Sequence, residues 1–159
     1  MLKYMLKLRL LLAALLLTTA VGVCNIACCS SDDDATEQTS QKRTELFNSL
    51  KAIAIANPDG FTVDATTLKP ITSGYAVSVA DTQNSFLDEG LYRVIDYVMS
   101  HPEINAYGGW LNTETQDYYY DATMVLSDRD EAIAFGKKNG QPVIFDLNTM
   151  TEIWIDGSD

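Results

Sequence analysis

The sequence predicts a single α+β domain behind an export segment. Three observations lead there. Residues 1–34 run basic, then apolar, then cysteine-bearing, then acidic. From Thr44 onward, stretches with apolar residues at helical spacing alternate with stretches of period two. All three cysteines lie within residues 24–29, so the domain beyond them has no disulfide and depends on its core alone.

The elements follow in order. Residues 30–43 (SSDDDATEQTSQKR) contain no aromatic or large aliphatic side chain and read as a flexible acidic tether, 29–43, continuing into a helix. Leu46, Leu50, Ile53 and Ala54 then share one helical face. Pro58 forces the helix to end by Asn57, and Pro58-Asp59-Gly60 makes a turn. Phe61 and Val63 suggest a short extended piece, and "LKPITSG" reads as a loop. Tyr75, Val77 and Val79 alternate with Ala76, Ser78 and Ala80, which predicts a strand over 74–80.

Ser85 followed by Asp88 resembles a capping box, and Leu87, Leu91, Val94, Ile95 and Val98 extend it as a helix over 86–100. Gly90 inside that helix costs about 1 kcal/mol against Ala, which points to a close packing contact. Strands are predicted at 106–111 and 118–126, joined by the polar loop "NTETQD". Asp128 with Glu131 opens a helix over 129–139 that closes at Asn139-Gly140. Strands at 142–147 and 152–155 finish the domain, 44–156.

From residue 74 the order is strand, helix, strand, strand, helix, strand. This βαββαβ order is the ferredoxin-like split βαβ, here with an extra N-terminal helix and a C-terminal edge strand. It puts strands 74–80 and 118–126 in the centre, 142–147 beside the first, 106–111 beside the second, and the last strand outside 142–147. Helices 86–100 and 129–139 cover one face. If Tyr75, Val77 and Val79 face the helices, the opposite face carries Ala76, Ser78 and Ala80, with Tyr119, Asp121, Thr123 and Val125 of strand 118–126 in one register and the alternate residues of that strand in the other. Its small side chains leave room. Either the N-terminal helix covers or borders that face, or it is a partner surface or ligand groove.

Charge narrows the partners. Lys and Arg total 11 against 22 Asp and Glu, and removal of residues 1–28 takes three of the cations and none of the anions, leaving −14. That excludes nucleic acid, whose affinity comes mainly from phosphate neutralisation, and it excludes lying flat on anionic lipid.

Lys3, Lys7 and Arg9, the apolar run Leu10–Val23 and the small residues after it have the order of an export signal. The apolar run is shorter than the ~20 residues of a spanning helix, although continued to Cys29 it reaches that length, which leaves an uncleaved anchor open. Cys29 has Ile26 three before it and Ala27 two before it; Cys28 has Ala27 just before it. This segment resembles a bacterial lipoprotein signal, and "CCSSDDD" is similar to the start of mature Bacteroidetes lipoproteins. The resemblance covers residues 1–34 only. It implies a signal peptide, 1–28, lipidation at Cys29 (Cys28 as runner-up), and a lipid-anchored protein of the outer membrane or cell surface, with the membrane as partner through that lipid.

Chemistry in the domain is sparse. His101 is the lone histidine, at a helix end before Pro102, and reads as a cap rather than a base. One His and no Cys leave no metal set of nitrogen and sulfur ligands, and the loop 112–117 lacks the Gly and closing Glu of a calcium loop. No glycine-rich phosphate loop occurs, so no cofactor is implied and no catalytic residue is assigned. Asp121 stands mid-strand among aromatics, and Asp146 is similar; hydrogen bonding to neighbours accounts for both. Gly108-Gly109-Trp110 with Tyr107 and Tyr118–Tyr120 makes an aromatic hairpin, either structural or a stacking platform. "DTQNSF" (81–86) caps a helix or holds a polar ligand.

Trp110, Tyr119 and Asp121 are therefore the candidate ligand-binding residues. The expectation is a non-catalytic binding or interaction module for a protein, peptide or glycan. The alternative is a small hydrolase or enzyme-regulating domain built on Asp121 and its aromatic neighbours. A third possibility is a structural subunit of a surface assembly that pairs through an exposed strand at 152–155 or 106–111.

Overall fold

The computed structural model describes residues 32–155; the signal peptide and the candidate lipidation sites Cys28 and Cys29 lie outside them. The described chain is α+β. It has three helices, α1 (Asp32–Ala56), α2 (Leu87–Ser100) and α3 (Arg129–Lys138). Seven strands form one antiparallel open sheet: β1 (Phe61–Asp64), β2 (Tyr75–Ser78), β3 (Ser85–Phe86), β4 (Ala106–Leu111), β5 (Tyr118–Leu126), β6 (Val143–Asp146) and β7 (Thr151–Trp154).

The sheet order is β1-β4-β5-β2-β6-β7, with β3 joining β5. Each predicted strand therefore has its expected neighbours, with β5 and β2 in the middle. Two pieces join the predicted sheet: the short extended piece expected at Phe61 and Val63, whose pairing the sequence does not predict, and Ser85–Phe86, which it does not mark as a strand. The extended piece at Phe61–Asp64 pairs with β4 and widens the sheet. The two residues Ser85–Phe86 pair with Tyr120 and Tyr119, along the part of β5 that β2 does not reach. β4 is thus an interior strand, which removes 106–111 as an edge for pairing with another chain. The outer side of β1 is closed by Asp64 N donating to Lys69 O and Ile71 N to Thr62 O, both at 2.9 Å.

The largest correction concerns the N-terminal segment. Instead of a tether to Arg43, helix begins at Asp32. The segment has no Gly or Pro, and Ala, Glu, Gln, Lys and Arg are good helix formers. Its polarity reports exposure on all sides, not absence of helix. Gln41 Nε2 donates to Glu45 Oε1 at 2.9 Å, one turn on. Arg43 grips Asp96 with two hydrogen bonds, one of 2.8 Å, and lies 4.2 Å over the Tyr92 ring. Phe47 stacks on the same ring at 4.2 Å, and Lys51 Nζ meets Asp88 at 2.7 Å.

These contacts hold α1 against α2, not over the open sheet face. Leu50 and Ala54 are buried in one cluster with Leu91, Val94, Ile95 and Val98 of α2 and Tyr107, Tyr120 and Ala122 of the sheet. A smaller cluster joins Ala132 of α3 to Val77, Ile144 and Ile155. All three helices thus bury apolar residues against the same sheet face. The expectation that α1 covers the other face does not hold; of the covering-or-bordering alternative, α1 borders the groove on that face through Ile53.

The start of α2 also departs from expectation. Ser85 does not cap it: its hydroxyl donates to Thr82 O at 2.6 Å, and Asp88 turns to Lys51. Ser85 is drawn away by its pairing with β5, and Phe86 takes the cap position with no side-chain cap bond. The chain from Ala80 to Thr82 forms a 3-10 turn that shortens the predicted strand 74–80. α3 begins as expected, with Asp128 accepting from Asp130 N and Glu131 N.

Gly90 is the close contact that its position implies. A Cβ there would lie 2.8 Å from Ser85 Cα and closer still to its carbonyl carbon. Gly90→Ala should therefore destabilise the fold by about 1–3 kcal/mol despite alanine's better helix propensity. Urea unfolding checks this; an unchanged or raised midpoint would remove the close-packing argument.

Candidate functional site

Strand alternation divides the sheet residues cleanly. Tyr75, Val77, Tyr107, Tyr120, Ala122 and Ile144 pack under the helices. By register, the opposite face receives Ala76, Ser78, Gly108, Trp110, Tyr119, Asp121, Thr123 and Phe145. Of the two registers open for β5, the observed one turns Tyr119, Asp121 and Thr123 to this face. No described helix packs on this face, and a groove of about 950 Å³ runs along it.

The three candidate ligand residues meet here. Trp110 and Tyr119 are direct cross-strand partners, and their rings stack at 5.1 Å. Trp110 Nε1 donates to Asp121 Oδ2 at 3.2 Å. Phe86, opposite Tyr119 on its other side, lies 5.3 Å from the same ring. The result is a continuous row Phe86–Tyr119–Trp110 crossing three strands. Phe86 and Trp110 remain 39% and 45% exposed, so the row is open to solvent.

Phe86 is the member that sequence reading misses. A two-residue strand lies below any periodicity signal, and Phe86 sits where a helix start is also plausible. It is delivered by unusual backbone. Asn84 and Leu87, on either side of Ser85–Phe86, have φ of 58° and 59°. The left-handed region costs an L residue about 1–2 kcal/mol, least for Asn. The 80–83 turn is held from below by Arg93, which donates to Asp81 O and Gln83 O at 2.9 and 2.6 Å. Buried Thr82 accepts from Ala122 N at 3.0 Å. "DTQNSF" therefore serves to fasten this corner.

Comparison with protein-family models, with curated proteins and with solved structures gives no match.

Beside the aromatic row the floor is low. Gly108 faces Asp121 across the β4–β5 pair, and a Cβ on it would come within 2.6 Å of Thr123 Oγ1. Asp121 is half-buried in this hollow. Desolvation pushes its carboxyl up to about 6, against the opposing hydrogen bonds from Trp110 and Ser78. Asp146 is of the other kind. Burial raises it, but hydrogen bonds from Asn148 and Thr149 outweigh that and hold it below the ordinary value. It belongs to a turn, not to a site.

The other strand acids that the register puts on the open face are Asp64 and Glu152. By strand spacing their Cα atoms lie about 12 Å and about 20 Å from that of Asp121. Asp64 is also committed to the amides of Thr66 and Thr67, at 3.1 and 2.7 Å. Glycosidase carboxyl pairs stand about 5–9.5 Å apart, so neither completes such a pair. His101 closes α2, stacked on Tyr97 at 3.9 Å and bonded through Nδ1 to Tyr97 O at 2.8 Å. In the 112–117 loop, Asn112 Oδ1 accepts from Glu114 N and Thr115 N, which closes the hairpin. Among the described residues no group of three or more His, Cys, Asp or Glu could hold a metal.

Asp121 makes stability depend on pH in a defined direction. Below about pH 3 its carboxyl is protonated in folded and unfolded chains alike. As pH rises toward 6 the unfolded chain releases a proton that the folded chain retains, so stability falls and then levels off. The span is on the order of 3 kcal/mol. Asp121→Asn should be more stable than the parent at pH 7.5, with the two converging near pH 3. Urea unfolding at both values checks this; a variant less stable at pH 7.5 would contradict it.

Proposed function

We propose that this chain is a lipid-anchored envelope protein whose domain is a non-catalytic binding module, with the open sheet face as its binding surface. The observation that carries this reading is the solvent-open row Phe86–Tyr119–Trp110 beside a hollow floored by Gly108, Ala76 and Ser78. A sheet face on which no described helix packs, with aromatics kept at its surface, suits a ligand better than it suits folding.

The anchoring part rests on residues 1–34, with Cys29 as the lipidated residue and Cys28 as the runner-up, in the outer membrane or at the cell surface. In this reading the polar first half of α1 follows directly on the anchoring segment in sequence. Its twelve helical residues, 32–43, are roughly 18 Å long. The domain itself reads as a ferredoxin-like split βαβ with additions at both sheet edges. The run β4-β5-β2-β6, with α2 and α3 as its two crossings, supports that assignment.

One observation favours a second reading, a small hydrolase or enzyme-regulating domain. Asp121 has a carboxyl raised to about 6 in a groove, as a general acid requires. The distances to Asp64 and Glu152 weigh against it.

In a bacterial host, the full chain should incorporate labelled palmitate and lose its N-terminal segment. Cys28→Ala combined with Cys29→Ala should abolish both. Labelling and processing that persist in the double variant would contradict the anchor.

A further inference from the structure

Resting on the binding-module reading above, we infer that the open face binds an uncharged saccharide chain, through stacking on the Trp110–Tyr119 row and hydrogen bonds to Asp121 and the neighbouring amides.

Charge decides part of this. The titratable side chains lining the groove, apart from Tyr119, are Asp59, Asp121 and Glu152; among the described residues no Lys, Arg or His lines it. In a chain of net charge −11, such a groove repels phosphate, sulfate and carboxylate ligands. Its remaining polar side chains are mainly amides and hydroxyls, among them Gln83, Asn84, Asn112, Gln141, Ser78 and Thr62. Amides and hydroxyls both donate and accept, as the hydroxyls of a sugar do.

Backbone pairing decides another part. β4, β5 and β2 are interior strands, paired on both sides over most of their length, which leaves an extended peptide no full-length free edge to join there. A ligand on this face must be held by side chains. Trp110 stacks on Tyr119 at 5.1 Å and Phe86 lies tilted against Tyr119 at 5.3 Å, so neighbouring rings are in contact and leave no slot between them for a proline ring. The flat C–H face of a pyranose needs no slot. It lies on an exposed aromatic surface while its hydroxyl rim reaches the carboxyl and amides alongside.

The test uses the full chain in a non-glycosidic detergent. The probes are hexasaccharides of glucose, xylose and mannose, the anionic polymers heparin and polygalacturonate, and a polyproline decapeptide. Calorimetry and tryptophan emission are the readouts. At least one neutral hexasaccharide should bind. Trp110→Ala should weaken it by roughly tenfold, the scale of one aromatic contact, with Trp110→Phe restoring part. Ile55→Ala, at an exposed apolar side chain of α1 that does not line the groove, should leave it unchanged. Failure of all three neutral sugars overturns the inference. Binding of an anionic polymer or the peptide, lost in Trp110→Ala, overturns the saccharide class but keeps the open face as a binding surface. Sugar binding that ignores Trp110→Ala overturns both.

Discussion

The seating of α1 on α2 is the constraint on which the rest of the structure depends. A single antiparallel sheet can bury one face and leave the other wet. α1 carries an apolar stripe that must be buried somewhere, and the sheet offers two sides. The stripe goes into the seam with α2, where Leu50 and Ala54 meet Leu91 and Ile95 over Tyr107 and Tyr120. Arg43–Asp96, the Phe47–Tyr92 stack and Lys51–Asp88 fix that seating from outside. The ion pairs are largely exposed and worth little singly. Buried Leu50 supplies the energy, on the order of 2–3 kcal/mol for one such side chain.

Because α1 goes there, the second face is free, and its residues can be chosen on other grounds. A half-buried carboxyl at Asp121, left-handed backbone at Asn84 and Leu87, and exposed Phe86 and Trp110 all work against stability. They converge on one patch. A folded chain tolerates such a concentration of unfavourable features where the surface serves something other than folding.

The helices and central strands were legible because each is set by a period the sequence displays. The faces of Tyr118–Leu126, whose register the sequence left open, are set by its pairing with Tyr75–Ser78 and Ala106–Leu111. Asp128 and Glu131 mark the start of α3 by side chain to backbone bonding alone. Three features were hidden, each for a physical reason. The first half of α1 has no buried side, so it shows no period although its residues favour helix. Ser85 and Asp88 match a capping pattern, but pairing with β5 and the ion pair with Lys51 outbid the cap. Which face α1 would cover depends on contacts far apart in sequence, such as Arg43 with Asp96, that no local pattern encodes. At the site, Trp110, Tyr119 and Asp121 were legible from the alternation of one hairpin. Phe86 was not, since it joins them only through a two-residue pairing.

The central claim is that all three helices pack on one face of the sheet and none on the face that carries Ser78. Single cysteines placed on the two faces measure this directly, in a chain whose Cys24, Cys28 and Cys29 are replaced by serine. Under native conditions Ser78→Cys should react readily with a maleimide, while Ala122→Cys should react only after unfolding. Equal protection of both positions would mean that something covers the open face, and would contradict the account.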